Sequence, residues 1–204
     1  MIVNRDELKQ VTGYDYYQGN LIHKPFAYSF FRSKTLPIGN IIAFRAPMEV
    51  EAEGMIDLED MLAKDYIYSE DAINFCWQIP HLDAFGAVAF QRLFNTQIAN
   101  KLYQIIQKPI MVDGDDIMVL EEFEGSDGKL HDKGKASVSI AYSRNGFAMS
   151  HTAININAGK QAPGFAYSTK MTDEQCDQFM KGVIDLFYQM VDDITLATSK
   201  LTTI

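Results

Sequence analysis

Cations are in short supply in this chain: 18 Lys and Arg stand against 27 Asp and Glu over 204 residues, a formal charge of −9. Nucleic-acid surfaces rely on clustered Lys and Arg to neutralise phosphates, so a nucleic-acid partner is not expected. Cysteine is nearly absent, and Cys76 and Cys176 form neither a disulfide framework nor a CxxC metal motif. The histidines, His23, His81, His131 and His151, lack zinc-ligand spacing. No window holds 18 apolar residues, so no segment is expected to span a membrane. The charged start, Met-Ile-Val-Asn-Arg-Asp-Glu-Leu-Lys, gives no apolar signal-peptide stretch. Low-complexity tracts, repeats and Ser/Gly linkers are missing, and so are GxGxxG and P-loop lysine motifs, which sets aside Rossmann and P-loop nucleotide sites. These absences lead us to expect one cytoplasmic domain over 1–204, with a small molecule as its partner.

Core material is ample: 47% of residues are hydrophobic and 12% aromatic. The first forty residues are aromatic and irregular. Ile41–Phe44 reads as a buried strand ended by Arg45-Ala-Pro47, and Ser69–Gln78 reads as a helix stopped before Pro80. Asp83 can cap a long helix to about Gln107, with Phe85, Ala89, Leu93, Ile98, Leu102 and Ile105 as its inner stripe. Ile110–Val112 and Ile117–Leu120 read as strands around Gly114, and Ser126–Lys133 as a hairpin tip. Ala136–Tyr142 and Phe147–Ile156 pair across Arg144-Asn-Gly146, a strong hairpin signal. A C-terminal helix over 172–198 opens with Gln175 in the capping-box position after Thr172. Two long helices against a mixed, mainly antiparallel sheet make an α+β domain.

Chemistry concentrates in Asp113-Gly-Asp-Asp-Ile117, Lys135-Ala-Ser-Val-Ser139 and His151–Asn157. Lys135 opens a strand, where a compact cation can neutralise a phosphate or carboxylate; it also fits a solvated hairpin edge beside Lys129 and Lys133. Asp115 and Asp116 could hold Mg²⁺ beside ATP phosphates, pair with Lys135, or simply serve the glycine turn. Arg45 could grip an anion bidentately or pair with Glu49, Glu51, Glu53, Asp57 or Glu59. His151 and Asn155 share a strand face, where a histidine can line a pocket or be a hydrogen-bonded core residue.

Several segments together carry a family resemblance: Tyr17-Gln-Gly-Asn-Leu21, Phe26-Ala-Tyr28, Ile42-Ala-Phe-Arg-Ala-Pro47, Met55-Ile-Asp-Leu-Glu-Asp60, Gln91-Arg-Leu93, Gly114-Asp-Asp116 and Lys135–Ala141. In this order, over residues 17–157, they resemble the motifs of domain-of-unknown-function family 366. The resemblance implies the catalytic fold of biotin–protein ligases, lipoate–protein ligases and octanoyl transferases, a relative of class II aminoacyl-tRNA synthetases. The resemblance implies a fold and not an activity; on that fold we expect adenylation of a carboxylate with ATP and Mg²⁺, or acyl transfer. Lys135 then neutralises the adenylate and Asp115 or Asp116 holds the metal or orients the lysine. Arg45 grips phosphate or carboxylate, His151 and Asn155 line the acyl pocket, and Gln18, Asp57, Gln91 and Arg92 form its rim. The alternative is a non-catalytic nucleotide or small-ligand binding module. The chain departs from the ligases where Ala46-Pro47 replaces their glycine-rich loop and Val138 the glycine after the lysine. Ser168-Thr-Lys170 stands near the octanoyl-transferase cysteine position and Cys176 lies inside the last helix, so thioester transfer by cysteine is not expected; a biotin or lipoate substrate is not supported either. Strands in such folds often pair, so a homodimer is compatible with the sequence without being required by it.

Overall fold

A computed structural model describes residues 1–23, 26–31, 38–63 and 66–201. The elements run α1 (Arg5–Thr12), β1 (Asn40–Val50), α2 (Leu58–Ala63), β2 (Ile67–Pro80), α3 (Ala84–Ile106), β3 (Ile110–Asp113), β4 (Asp116–Val119), β5 (Phe123–Glu124), β6 (Leu130–His131), β7 (Gly134–Lys135), β8 (Ser137–Arg144), β9 (Phe147–Asn157) and α4 (Asp173–Ser199). The main sheet has the order β1-β2-β9-β8, antiparallel throughout; β3-β4-β7 form a second sheet and β5-β6 a short ribbon.

The stretch expected as a helix at 69–78 is instead the middle of β2. β2 pairs with β1 on one edge and β9 on the other, and eight consecutive residues, Ala72–Ile79, are buried. A strand covered on both faces has no reason to alternate apolar and polar residues, so the period that marks a strand is lost. Its composition (Ile73, Phe75, Trp77, Ile79) is the signal that remained.

One face of the main sheet packs on α3 and α4. Phe75 and Trp77 meet Phe90, Phe94, Phe179 and Phe187 there, and each of these side chains is more than nine-tenths buried. Asp83 caps α3 by accepting from Gly86 N at 2.7 Å, and Thr172 and Gln175 form the expected capping box on α4. The inner stripe of α3 differs from the expected one in its first half. Phe85 is 84% and Leu93 47% exposed, while Phe90, Gln91, Phe94 and Asn95 face inward and Ile98 and Leu102 continue the stripe. Two polar residues on the buried side displaced the apparent stripe, and both serve the site described below.

The opposite face of the sheet is half covered. Tyr17, Leu21, Ile22, Phe26 and Phe30 from the N-terminal segment pack on Ile42, Phe44, Met48 and Cys76. Pro47 lies where the β1–β2 register shifts, between Ala46 and Met48; a proline cannot donate to the ladder and is tolerated at a bulge. Its carbonyl accepts from Tyr17 N (2.9 Å), and Tyr17 O accepts from Glu49 N (2.9 Å). That clip on the outer edge of β1 fixes Tyr17 against the sheet. Toward β8 the cover given by the described residues thins, and Val138, Ile140 and Tyr142 are only partly buried.

Candidate functional site

Where that cover thins lies a cleft of about 610 Å³. Its floor is His151, Asn155, Val138 and Ile140; one wall is Val50, Gly54, Asp57 and Tyr68; the other is Asp115, Asp116 and the 163–166 loop. Lys135 enters beside Asp116. The chain changes sheets there: Lys135 pairs with Met118 of β4, and the next strand, β8, belongs to the main sheet. The backbone of Lys135 is also tied to the 163–167 loop, donating to Phe165 O (2.8 Å) and accepting from Tyr167 N (2.9 Å). Gly134 makes this crossing possible, since a Cβ there would stand 2.6 Å from both Phe123 Cε1 and Tyr167 Cβ.

Lys135 Nζ meets Asp116 Oδ1 at 2.8 Å, both side chains about one-third exposed. Asp115 turns the other way and pairs with Arg92 of α3. Gln91 Nε2 donates to Asp115 Oδ2 (3.3 Å) and Asn95 Nδ2 to Asp115 O (2.9 Å). Gly114, at φ +63°, permits the turn, and its missing side chain gives Arg92 room. The same α3 amides reach β8: Gln91 and Asn95 donate to Ser139 Oγ at 2.8 and 3.0 Å. Ser139 therefore donates to Thr152 Oγ1 (2.9 Å), which donates to Asn95 Oδ1 (3.1 Å), closing a ring. Helix, acidic turn and strand are locked together, and the lysine is held at the free end of that assembly.

At the other end of the floor His151 is 2% exposed. Its ring stacks on Tyr17, centroids 3.5 Å apart and planes 9° from parallel, and its Nε2 lies 2.9 Å from Asn74 Oδ1. Burial pulls its pKa down from 6.5 to about 3, so the ring is neutral in the folded protein. Asn155 is 3% exposed, and its Oδ1 is buried with no hydrogen-bond partner. On the rim, Asp57 starts α2 by accepting from Glu59 N (2.8 Å), and Tyr66 donates to Glu49 (2.9 Å). Burial and that bond raise the Tyr66 hydroxyl to about 12.

The structure thus gathers Lys135, Asp115, Asp116, His151, Asn155 and Asp57 on one cleft. Gln91 and Arg92 stand behind its wall as supports of Asp115. Gln18 lies between two lining residues, but its own side chain does not line the cleft, and its Nε2 is buried without a partner. Arg45 is elsewhere: its Nε and Nη2 grip Asp71 (2.9 and 2.6 Å) and its Nη1 meets Asp173 (2.6 Å), tying β1 and β2 to the start of α4. None of its expected acidic partners is involved, because Asp71 lies across the β1–β2 pair and Asp173 reaches it only through the tertiary fold. Tyr17, Asn74, Asn95, Ser139 and Thr152 were missed by the sequence. The one usable signal was Gln91 and Asn95, four residues apart on the buried side of a helix.

A second groove, of about 900 Å³, runs behind the 163–167 loop. It is larger, but its Lys108, Glu121 and Tyr167 satisfy one another. No unpartnered buried side-chain atom lines it among the described residues.

Comparison with solved structures places this architecture. A protein of unknown function from Pyrococcus horikoshi superposes with a TM-score of 0.76 at 22% identity, covering 93% of each chain. The bipartite lipoate protein ligase from Thermoplasma acidophilum gives 0.51 at 11% identity, covering 76% of this chain and 72% of its own. A P. falciparum protein in complex with lipoate gives 0.52 at 13% identity, covering 83% of this chain and 55% of its own. These likenesses show the fold, shared with the lipoate protein ligase, with its mainly antiparallel sheet under two long helices. No curated protein matches the chain. The model of one family matches residues 8–202, and the chain belongs to that family, Domain of unknown function (DUF366).

Proposed function

We propose that the cleft takes a small carboxylic acid or its acyl derivative and acts at the acyl carbon, by activation or by acyl transfer. The observation that carries this reading is Lys135. Among the described lining residues it is the one cation, and it is presented by a strand crossing at the mouth of a pocket floored by Val138 and Ile140. A carboxylate can replace Asp116 on the ammonium while the hydrocarbon body covers the floor. Asn155 Oδ1, unpaired at the same end, supplies an acceptor for an incoming N–H or O–H group. The lipoate ligase from T. acidophilum and the lipoate-bound P. falciparum protein share the fold and agree with a small acyl ligand.

ATP and Mg²⁺ do not fit the lining as it stands. Asp57 and Glu59 stand on the rim beside the paired Asp115 and Asp116, with one lysine among the described lining residues, an unfavourable setting for a triphosphate. Asp115 and Asp116 are each already paired with a cation, and no group of three or more His, Cys, Asp or Glu suited to a metal occurs among the described residues. That charge balance favours the second reading, a binding module without nucleotide chemistry. Trapping with hydroxylamine in the presence of ATP and Mg²⁺ separates the two. An activating enzyme forms the hydroxamate of the bound acid and releases pyrophosphate. An acyl transferase forms it from a thioester of the acid without ATP, and binding of the acid with no hydroxamate in either case leaves the binding module standing.

A further inference from the structure

The His151 end of the cleft floor has a hydrogen-bond polarity fixed by the fold. Asn74 donates from Nδ2 to the carbonyl oxygens of Ala46 (3.3 Å) and Ala72 (3.2 Å). Turning that amide over would set its oxygen against both carbonyls, so Oδ1 is the atom facing His151 Nε2. The imidazole therefore carries its proton on Nε2 and its lone pair on Nδ1. Nδ1 has no hydrogen-bond partner among the described residues. Tyr17, stacked on the ring, keeps it from turning to offer an N–H instead. Because burial keeps the ring neutral, Nδ1 stays an acceptor throughout the neutral range. His151 lines the cleft, and an acceptor there is best met by a donor from whatever fills it.

Its position along the strand sets where that donor must be. Asn155 N donates to Ala136 O (2.9 Å), which puts Lys135 at the Asn155 end of β9. His151 lies four residues away on the same face, about 13 Å at strand rise. The floor between them is apolar: Val138 and Ile140 of β8, which pair with Ala153 and His151 of β9.

We propose that the ligand is an ω-hydroxy acyl group lying along β9, with its carboxyl end at Lys135 and its terminal hydroxyl donating to His151 Nδ1. This rests on the carboxylate reading of Lys135 given above. The hydrocarbon body covers Val138 and Ile140. A hydroxyl suits the far end better than an ammonium, whose desolvation beside a neutral ring is more costly. The site thus distinguishes the ligand from a plain fatty acid, whose methyl end would leave Nδ1 unpaired.

Calorimetric titration of the intact chain with octanoate, ω-hydroxyoctanoate and ω-methoxyoctanoate tests this without altering the protein. The hydroxy acid should bind about five- to tenfold tighter than octanoate, the effect of one buried hydrogen bond. The methoxy acid, which accepts but cannot donate, should gain nothing over octanoate. His151→Phe, which keeps a ring against Tyr17, should abolish the preference, and its melting curve shows whether it folds. Equal affinity for all three acids in the wild-type chain overturns the proposal while leaving the carboxylate reading intact. Failure of every acid to bind overturns both.

Discussion

Lys135 and Asp116 compete with any ligand for each other. An arriving carboxylate must displace Asp116 from the ammonium and then lie near its negative charge. Asp116→Asn removes that repulsion and leaves Lys135 in place, so carboxylate affinity should rise about two- to fivefold, as expected for one partly exposed charge pair. Unchanged or weaker binding would mean that Asp116 positions the lysine. His151 makes a different prediction, on stability. Its folded pKa, about 3, lies below its unfolded value of 6.5. The unfolded chain therefore takes up a proton that the buried ring refuses, and stability present above pH 6.5 is lost as pH falls toward 3. The full effect is on the order of a few kcal/mol. His151→Phe leaves Asn74 Oδ1 unpaired and costs stability at pH 7, but it removes this loss. The gap between wild type and variant in urea melts should narrow from pH 7 to pH 4. A constant gap would show that the ring is not buried neutral.

Elements carry the site through their crossings, and these were unequally legible. The Asn145-Gly146 hairpin, the Asp83 cap and the Thr172 capping box are local chemistry, and the structure has all three. β2 was illegible as a strand because neighbours on both edges and cover on both faces erased its alternation. Arg45 was misplaced for a related reason: Asp173, one of its partners, is 128 residues away in sequence. Lys135 and the acid turn were visible as a motif, but the α3 amides that hold Asp115 show only as polar residues on the wrong side of a helix. Two substitutions test these crossings. Gly134→Ala forces Phe123 and Tyr167 off the strand that presents Lys135. It should cost about 1–3 kcal/mol, typical of overpacking, and weaken carboxylate binding together with stability. A fully stable Gly134→Ala would show that the contact is loose. Arg45→Met breaks the tie between β1, β2 and α4. Its ion pairs are partly exposed, so about 1–2 kcal/mol in a denaturant titration is expected, with carboxylate affinity unchanged. A binding defect without a stability defect would return Arg45 to the site.

At the scale of the whole molecule, one face of the main sheet is sealed by α3 and α4, and the described residues cover the other more thinly toward β8, where the cleft has its floor. No helix among the described residues is long and apolar enough to cross a membrane. Acidic residues prevail over the chain and around the cleft alike, so the lysine at the mouth stands out against its surroundings. Such a field slows anions in general and leaves selection to short-range contacts, and carboxylate binding should therefore strengthen as salt screens the acidic rim. The most direct measurement is calorimetric titration of octanoate into the wild-type chain and into Lys135→Ala at matched pH and salt. The account predicts saturable binding to the wild type and at least about a tenfold loss in the variant, the worth of one charged hydrogen bond. Equal affinity in the two proteins, or no binding to either, would contradict it.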